Sequence, residues 1–270
     1  MYTLGIPPYA NTAPLFYYLE PGYGLEVRRG VPTELNRWLL TGEVDLSLVS
    51  AYFYLQHQDR LCALPDFSVA VLGPVYSVNL FHRVPWTALR RVAVTTESAT
   101  SVRLLEYLIA QDGVYPEFVR EAGGLELLET YDGVLLIGDR AIQAYAGLLD
   151  APPRSVHHLP TRLQGLEVTD LSMRWFERTR LPFVFAVWAT RKDAPPPPEV
   201  VDRLREARSR GLGHLAAIAR EEAERLGVSA RLIQHYLWNF RYHLEVPDRL
   251  GLEAFARAVG LPEPGAYWEV

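Results

Sequence analysis

Apolar residues recur along the chain in short runs, and most runs are followed by a stretch with helical spacing. Residues 2–6 read as an apolar strand stopped by Pro7-Pro8, and an aromatic-rich helix through Phe16, Tyr17 and Leu19 comes next. A second strand is expected over 25–29. A helix over 32–40 follows, opened by Pro32 and closed by Gly42. A third strand over 44–49 ends at Ser50, before the aromatic helix AYFYL. Three successive strand and helix units imply parallel strands joined by crossovers, hence an α/β fold.

The same alternation continues with strand-like runs at 69–72 and 75–81, separated by Gly73-Pro74. Residues 92–94 form another apolar strand. A turn crowded with hydroxyls (Thr95, Thr96, Ser98, Thr100, Ser101) then leads into an amphipathic helix with Val102, Leu105, Leu108 and Ile109 on one side. Residues 133–137 are a strand, with Gly138-Asp139-Arg140 at its end and a helix from Ala141. Loop and a short strand are expected at 150–159, a helix over 171–178 and a strand over 183–188. The runs at 75–81 and 183–188 are apolar throughout, and they read as outward and return passages between two αβ units. After Pro195–Pro198 the remainder is helical, over 199–210, 212–226, 229–242 and 251–260.

Composition narrows the function classes. With 270 residues, 49% of them hydrophobic, the chain has ample material for one large core or two modest ones. A net charge of -5 leaves no global basic footprint, which argues against nucleic acid or a lipid surface as partner. Cys62 is the sole cysteine, so no intramolecular disulfide or thiolate metal cluster can form. His157-His158, His214, His235 and His243 lack metal-ligand spacing, and neither a metal site nor a cofactor is expected. Lys192, the one lysine, sits in a polar RKD stretch, which removes Schiff-base chemistry. The start MYTLGI has no secretory pattern and no run approaches a membrane span, so a cytoplasmic location is expected.

Candidate chemistry gathers where strands end. Asn11 and Ser50 both fall just past a strand's carboxyl end, where open α/β sheets bind ligands, although Asn in such a place also serves as a turn or helix cap. Ser77 puts a hydroxyl into an otherwise apolar run. The helix start at Ser98, Thr100 and Ser101 offers unpaired N–H groups, a positive dipole end and hydroxyl donors, a ready site for a carboxylate or phosphate. Its bland alternative is an ordinary Ser or Thr cap. Gly138 lets a ligand approach the backbone, while Asp139 can cap the following helix or act on a ligand. Trp38, Tyr52 and Tyr54 are aromatic candidates for a binding surface or an interface.

Several of these segments carry a family resemblance. GIPPYANTAPL, VPTELNRWLLTGEVDLSLVSAYFY, GPVYSVNLF, ESATSVRLL, LLIGDRAI and LPFVFAVWATR resemble, in this order, the chorismate dehydratases of the futalosine route to menaquinone. These belong to the MqnA/MqnD family, whose fold is that of type II periplasmic binding proteins. The match runs over 1–191; the rest matches only as a helical region. The resemblance implies two α/β lobes, 1–79 with 188–270 and 80–187. Two crossing strands would form the hinge, and the helical C-terminal region would pack on the first lobe. It places Asn11, Ser50 and Ser77 on the first lobe's side of a cleft, and Ser98, Thr100, Ser101, Gly138 and Asp139 on the second. The implied activity is a hydro-lyase acting on dianionic chorismate to give 3-[(1-carboxyvinyl)oxy]benzoate. Asn11 would be catalytic, and either Asp139 or the substrate's own enolpyruvyl carboxylate would accept the proton. The alternatives are the sister enzyme that forms cyclic dehypoxanthine futalosine, a small-anion solute-binding protein without chemistry, and the sensing domain of a regulator. LLIGDRAI lacks the histidine of the sister pattern, which favours the dehydratase.

Overall fold

Twelve strands are found among the described residues of this computed structural model, which are all but 23, 152–159, 161, 266, 269 and 270; they form two six-stranded sheets. The chain divides into two units. The first comprises Met1–Ala70, Phe183–Ile218 and Arg241–Val270, the second Val71–Pro182 and Ala219–Phe240. The loop and strand expected at 150–159 lie almost wholly outside the described residues, as do His157 and His158.

In the first unit the sheet is built from β1 (Tyr2–Ile6), β2 (Leu25–Arg29), β3 (Leu46–Ser50), β4 (Leu61–Val71), β11 (Phe183–Arg191) and β12 (Phe240–Arg241), in the order β12-β4-β11-β3-β1-β2. β1 runs parallel to β2 and to β3, as the crossover pattern requires. β3 is buried at all five positions (LSLVS), which explains why it reads as an uninterrupted apolar run. β11 joins it antiparallel, with Ala186 opposite Ser50. The helices are α1 (Ala13–Phe16), α2 (Pro32–Thr41), α3 (Ala51–Gln56), α7 (Pro198–Gly213), the first turn of α8 (Leu215–Leu226) and α10 (Val246–Ala258). Gly42 closes α2 in the left-handed conformation at φ 78°, the role its sequence position suggests.

The second sheet contains β5 (Val78–His82), β6 (Arg91–Val94), β7 (Glu117–Arg120), β8 (Gly133–Ile137), β9 (Arg162–Leu163) and β10 (Leu166–Asp170), in the order β7-β6-β8-β5-β10-β9. β6 is parallel to β7 and β8, while β5 is antiparallel to β8 and β10. Helices α4 (Ala99–Gln111), α5 (Gly138–Leu148), α6 (Leu171–Thr179), most of α8, and α9 (Ala230–Trp238) complete this unit.

Three features differ from the sequence reading. β5 starts at Val78 and pairs wholly within the second sheet, while β11 pairs wholly within the first, so neither strand is itself the passage between units. The chain changes unit at Ala70/Val71 and Pro182/Phe183, and again at Ile218/Ala219 and Phe240/Arg241. The last two changes mean that the C-terminal region is shared: residues 219–240, expected with the first lobe, group with the second unit. Gln143 Nε2 donates to the Leu226 carbonyl (2.9 Å) and Asn239 Nδ2 to the Pro74 carbonyl (3.0 Å), so both ends of that insert are tied to the second unit.

Candidate active site

Asn11 sits in a single 3-10 turn, Ala10–Thr12, between β1 and α1. Thr12 Oγ1 donates to the carbonyls of Pro7 (3.1 Å) and Tyr9 (2.8 Å) and so staples the turn to the end of β1. The cap of the turn is Tyr9 and the cap of α1 is Thr12, so Asn11 occupies neither cap position. Its Oδ1 is buried and has no hydrogen-bond partner in the structure. Ser50, the last residue of β3, occupies the cap position of α3 without making a side-chain cap bond, and its Oγ is likewise buried and unpartnered. Because β1 and β3 are parallel, Asn11 and Ser50 lie beyond the same end of the first sheet. Buried polar atoms are hydrogen-bonded in the great majority of cases. Two unpartnered polar atoms thus stand at the carboxyl ends of parallel strands, the end at which open α/β sheets bind ligands. Trp38 and Tyr54, by contrast, are core residues at 6% and 1% exposure.

The remaining candidates belong to the second unit, Ser77 among them. Its expected place on the first lobe is corrected by strand pairing: Val78 opposes Ile137, and Gly138 N donates to the Ser77 carbonyl at 2.8 Å. Ser77 thus stands beside the start of α5, at the sheet end where β6 and β8 also finish. Ser98 is the cap of α4. Its hydroxyl accepts from Ser101 N (3.1 Å) and donates to Ser101 Oγ (3.1 Å), so the capping role is realised. Thr100 and Ser101, at 2% and 3% exposure, stand in the first turn of α4 with the positive end of its dipole. Gly138 opens α5 with a φ of 57°, a conformation that favours glycine. Asp139 follows in the first turn of α5, and its carboxylate accepts from Arg225 Nη2 at 2.8 Å. Arg225 also pairs with Glu222, so one guanidinium bridges two carboxylates.

The sequence reading passed over four residues that shape these sets: Arg225, Tyr236, Asp170 and Tyr242. Tyr236 is fully buried on α9 and lies against Ser77. Asp170 Oδ2 accepts from Val75 N and Tyr76 N (both 2.8 Å), and Oδ1 accepts from Met173 N (2.9 Å). It thereby holds Tyr76 at a φ of 63°, immediately before Ser77. Burial pushes the Asp170 carboxyl up from 3.8 to about 6 even though main-chain donors favour the charged form. An Asp just before the helical LSMRWFER was a legible cap signal. Its reach back to Val75 was not.

A separate cavity of about 440 Å³ lies in the second unit against α5, lined by Gly123, Glu126, Arg140 and Gln143 among others, and contains none of the candidate residues. No helix among the described residues is long and apolar enough to cross a membrane.

Residues 2–260 match the family model described as Menaquinone biosynthesis. The chain belongs to that family. It is 64% identical to a chorismate dehydratase of Thermus thermophilus, over 97% of this chain and 96% of the relative. It is 30% identical to a 1,4-dihydroxy-6-naphtoate synthase of the same organism, again over 97% and 96%. That second branch of the family carries this name rather than the cyclisation expected of a sister enzyme. Among solved structures, the periplasmic aliphatic sulphonate binding protein SsuA from Escherichia coli superposes with a TM-score of 0.61 at 14% identity, covering 97% of this chain and 94% of that one. At that identity the likeness concerns the fold, which is of the two-lobed periplasmic-binding-protein kind expected from the resemblance.

Proposed function

We propose that the chain is a chorismate dehydratase of menaquinone biosynthesis, a hydro-lyase converting chorismate to 3-[(1-carboxyvinyl)oxy]benzoate by the futalosine route. The observation that carries this reading is 64% identity over nearly the whole chain to a protein of that name. The naphtoate synthase, at 30%, is a more distant kin, and it makes the sister activity the second reading.

Chorismate is a compact dianion with a ring carboxylate, an enolpyruvyl carboxylate, and a hydroxyl on the carbon next to the ether. Loss of that hydroxyl, together with the hydrogen on the ether-bearing carbon, makes the ring aromatic and releases water. The enzyme has to orient the substrate, see one proton removed and help hydroxide leave.

In this reading the start of α4 holds one carboxylate through main-chain N–H groups and the Thr100 and Ser101 hydroxyls, since the Ser98 hydroxyl is taken by its cap bonds. Ser50 and Ser77 orient the substrate, and Gly138 gives it access to the backbone. Asn11 attends the departing hydroxyl. An amide both accepts and donates, so its orphaned Oδ1 accepts a hydrogen bond from the hydroxyl in the ground state and its Nδ2 donates one to the oxygen as the C–O bond breaks. The proton acceptor is the substrate's enolpyruvyl carboxylate, supported by the engagement of Asp139 with Arg225.

The test is to incubate the purified chain with chorismate and follow the ultraviolet absorbance and mass of the products. An aromatic product 18 mass units lighter than chorismate is the expected result, on the loss of one water. Tight binding without turnover favours a solute-binding protein. Inertness toward chorismate, combined with formation of 1,4-dihydroxy-6-naphthoate from that synthase's own substrate, favours the sister activity.

A further inference from the structure

Asn11 presents a physical problem. A buried amide oxygen without a partner costs on the order of 1–3 kcal/mol, and a short turn carrying one gains by rotating it toward a donor. The turn therefore has to be held, and beyond the Thr12 bonds it is held by the C-terminal segment. Tyr242 Oη donates to the Asn11 carbonyl at 2.8 Å. Tyr242 is itself buried, at 2% exposure. Its own carbonyl accepts from Ser68 N (3.4 Å) and from Arg208 Nη1 (3.3 Å). Arg208, 6% exposed, also donates to the Asp66 carbonyl (2.5 Å) and lies 4.1 Å over the Phe67 ring. A second grip acts three residues on, where α7 packs against α1 so closely that a Cβ at Gly211 would stand 1.9 Å from the Pro14 carbonyl oxygen. Tyr242, Arg208 and Gly211 all lie beyond residue 191, in the part of the chain whose resemblance to the family was only that of a helical region.

We infer that Tyr242 is a positioning residue for Asn11: its hydroxyl fixes the Asn11 main chain so that the side-chain amide stays aimed at the substrate, and the C-terminal segment thereby takes part in the reaction. This inference rests on the proposed dehydratase reading, and it adds to it a role for a residue that acts through the Asn11 main chain. Tyr242 works through one hydrogen bond to a main-chain carbonyl. Its removal should loosen the orientation of Asn11 while leaving the carboxylate contacts, and hence substrate affinity, in place.

The experiment compares the full-length wild type, Tyr242→Phe, Asn11→Ala and the double variant in chorismate turnover, with enzyme in excess so that slow rates are measured. Thermal unfolding of each protein is recorded alongside. Tyr242→Phe keeps the buried ring and is expected to fold. Its kcat should fall between roughly tenfold and a hundredfold, the scale set by misplacing a catalytic group, with KM changed less than about threefold. In the Asn11→Ala background the same substitution should have no further effect on rate. A wild-type kcat for Tyr242→Phe beside a crippled Asn11→Ala overturns the positioning role and leaves the dehydratase reading standing. An equal fold-loss in both backgrounds also overturns it, because Tyr242 then acts independently of Asn11. Full activity of Asn11→Ala removes Asn11 from the catalytic set, and this inference with it, while the dehydratase reading stands; no turnover by the wild type removes the dehydratase reading itself.

Discussion

Asp170 accepts main-chain N–H groups from Val75, Tyr76 and Met173, so a single carboxylate ties the start of α6 to the turn that ends at Ser77. Its folded carboxyl titrates at about 6, above the ordinary 3.8. The folded chain thus holds this proton more tightly than the unfolded one. The stability contributed by Asp170 is complete below about pH 4 and is lost as pH rises through about 6, a change of roughly 3 kcal/mol at full burial. Urea midpoints measured from pH 4 to pH 7 should fall more steeply in the wild type than in Asp170→Asn. Equal slopes would show that the carboxylate is accommodated without cost. Asp139 answers a different question. Since Arg225 engages its oxygen at 2.8 Å, Asp139→Asn should keep kcat for chorismate within about threefold of the wild type if the substrate's carboxylate is the base. A drop of about a hundredfold or more would make Asp139 the proton acceptor. At this scale the sequence was legible wherever a residue's role is local. Ser98 reads as a cap and is one, and Gly138 reads as a point of backbone freedom and has a φ of 57°. Asp170, Arg225 and Tyr242 act on residues 95, 86 and 231 positions away, and no local pattern carries that information.

Elements were legible in proportion to how completely they are buried. β3 and β8 are buried at every position and stand out as apolar runs. β7 begins with the exposed Glu117 and ends with the exposed Arg120, and β10 reads LEVTD; both owe their existence to pairing with distant strands rather than to their own pattern. β4 was foreseen only near its end, because Pro65-Asp66 looks like a break. Its neighbour β12 has only two residues, so a strand pairing of that length leaves room in β4 for a proline. Among helices α7 is the most exacting. A methyl group at Gly211 would collide with the backbone oxygen of Pro14, which cannot turn aside as a side-chain end could. Gly211→Ala should therefore displace α7 or α1 and lower stability by about 1–3 kcal/mol or more, read as a fall in the thermal midpoint. An unchanged midpoint would mean that the two helices separate freely.

On the scale of the whole molecule, the two-unit α/β plan followed from the order of strands and helices, but the allotment of the last eighty or so residues did not. Both units need them. The first takes α7, β12 and α10, and the second takes α9 and most of α8. A chain ended after Arg191 keeps every motif of the family resemblance yet leaves both cores open, and it should show no cooperative unfolding transition by circular dichroism. A sharp transition would mean that one unit is complete without its C-terminal share. The interleaving has a further consequence for biosynthesis. β3 emerges from the ribosome long before its partner β11, which begins at Phe183, and at about 5–20 residues per second the delay is on the order of ten seconds. Throughout that interval the nascent chain carries an apolar strand with an open edge, an invitation to pair with a neighbouring polypeptide. Soluble yield should therefore respond to translation speed and to chaperone supply more than to the stability of the finished fold.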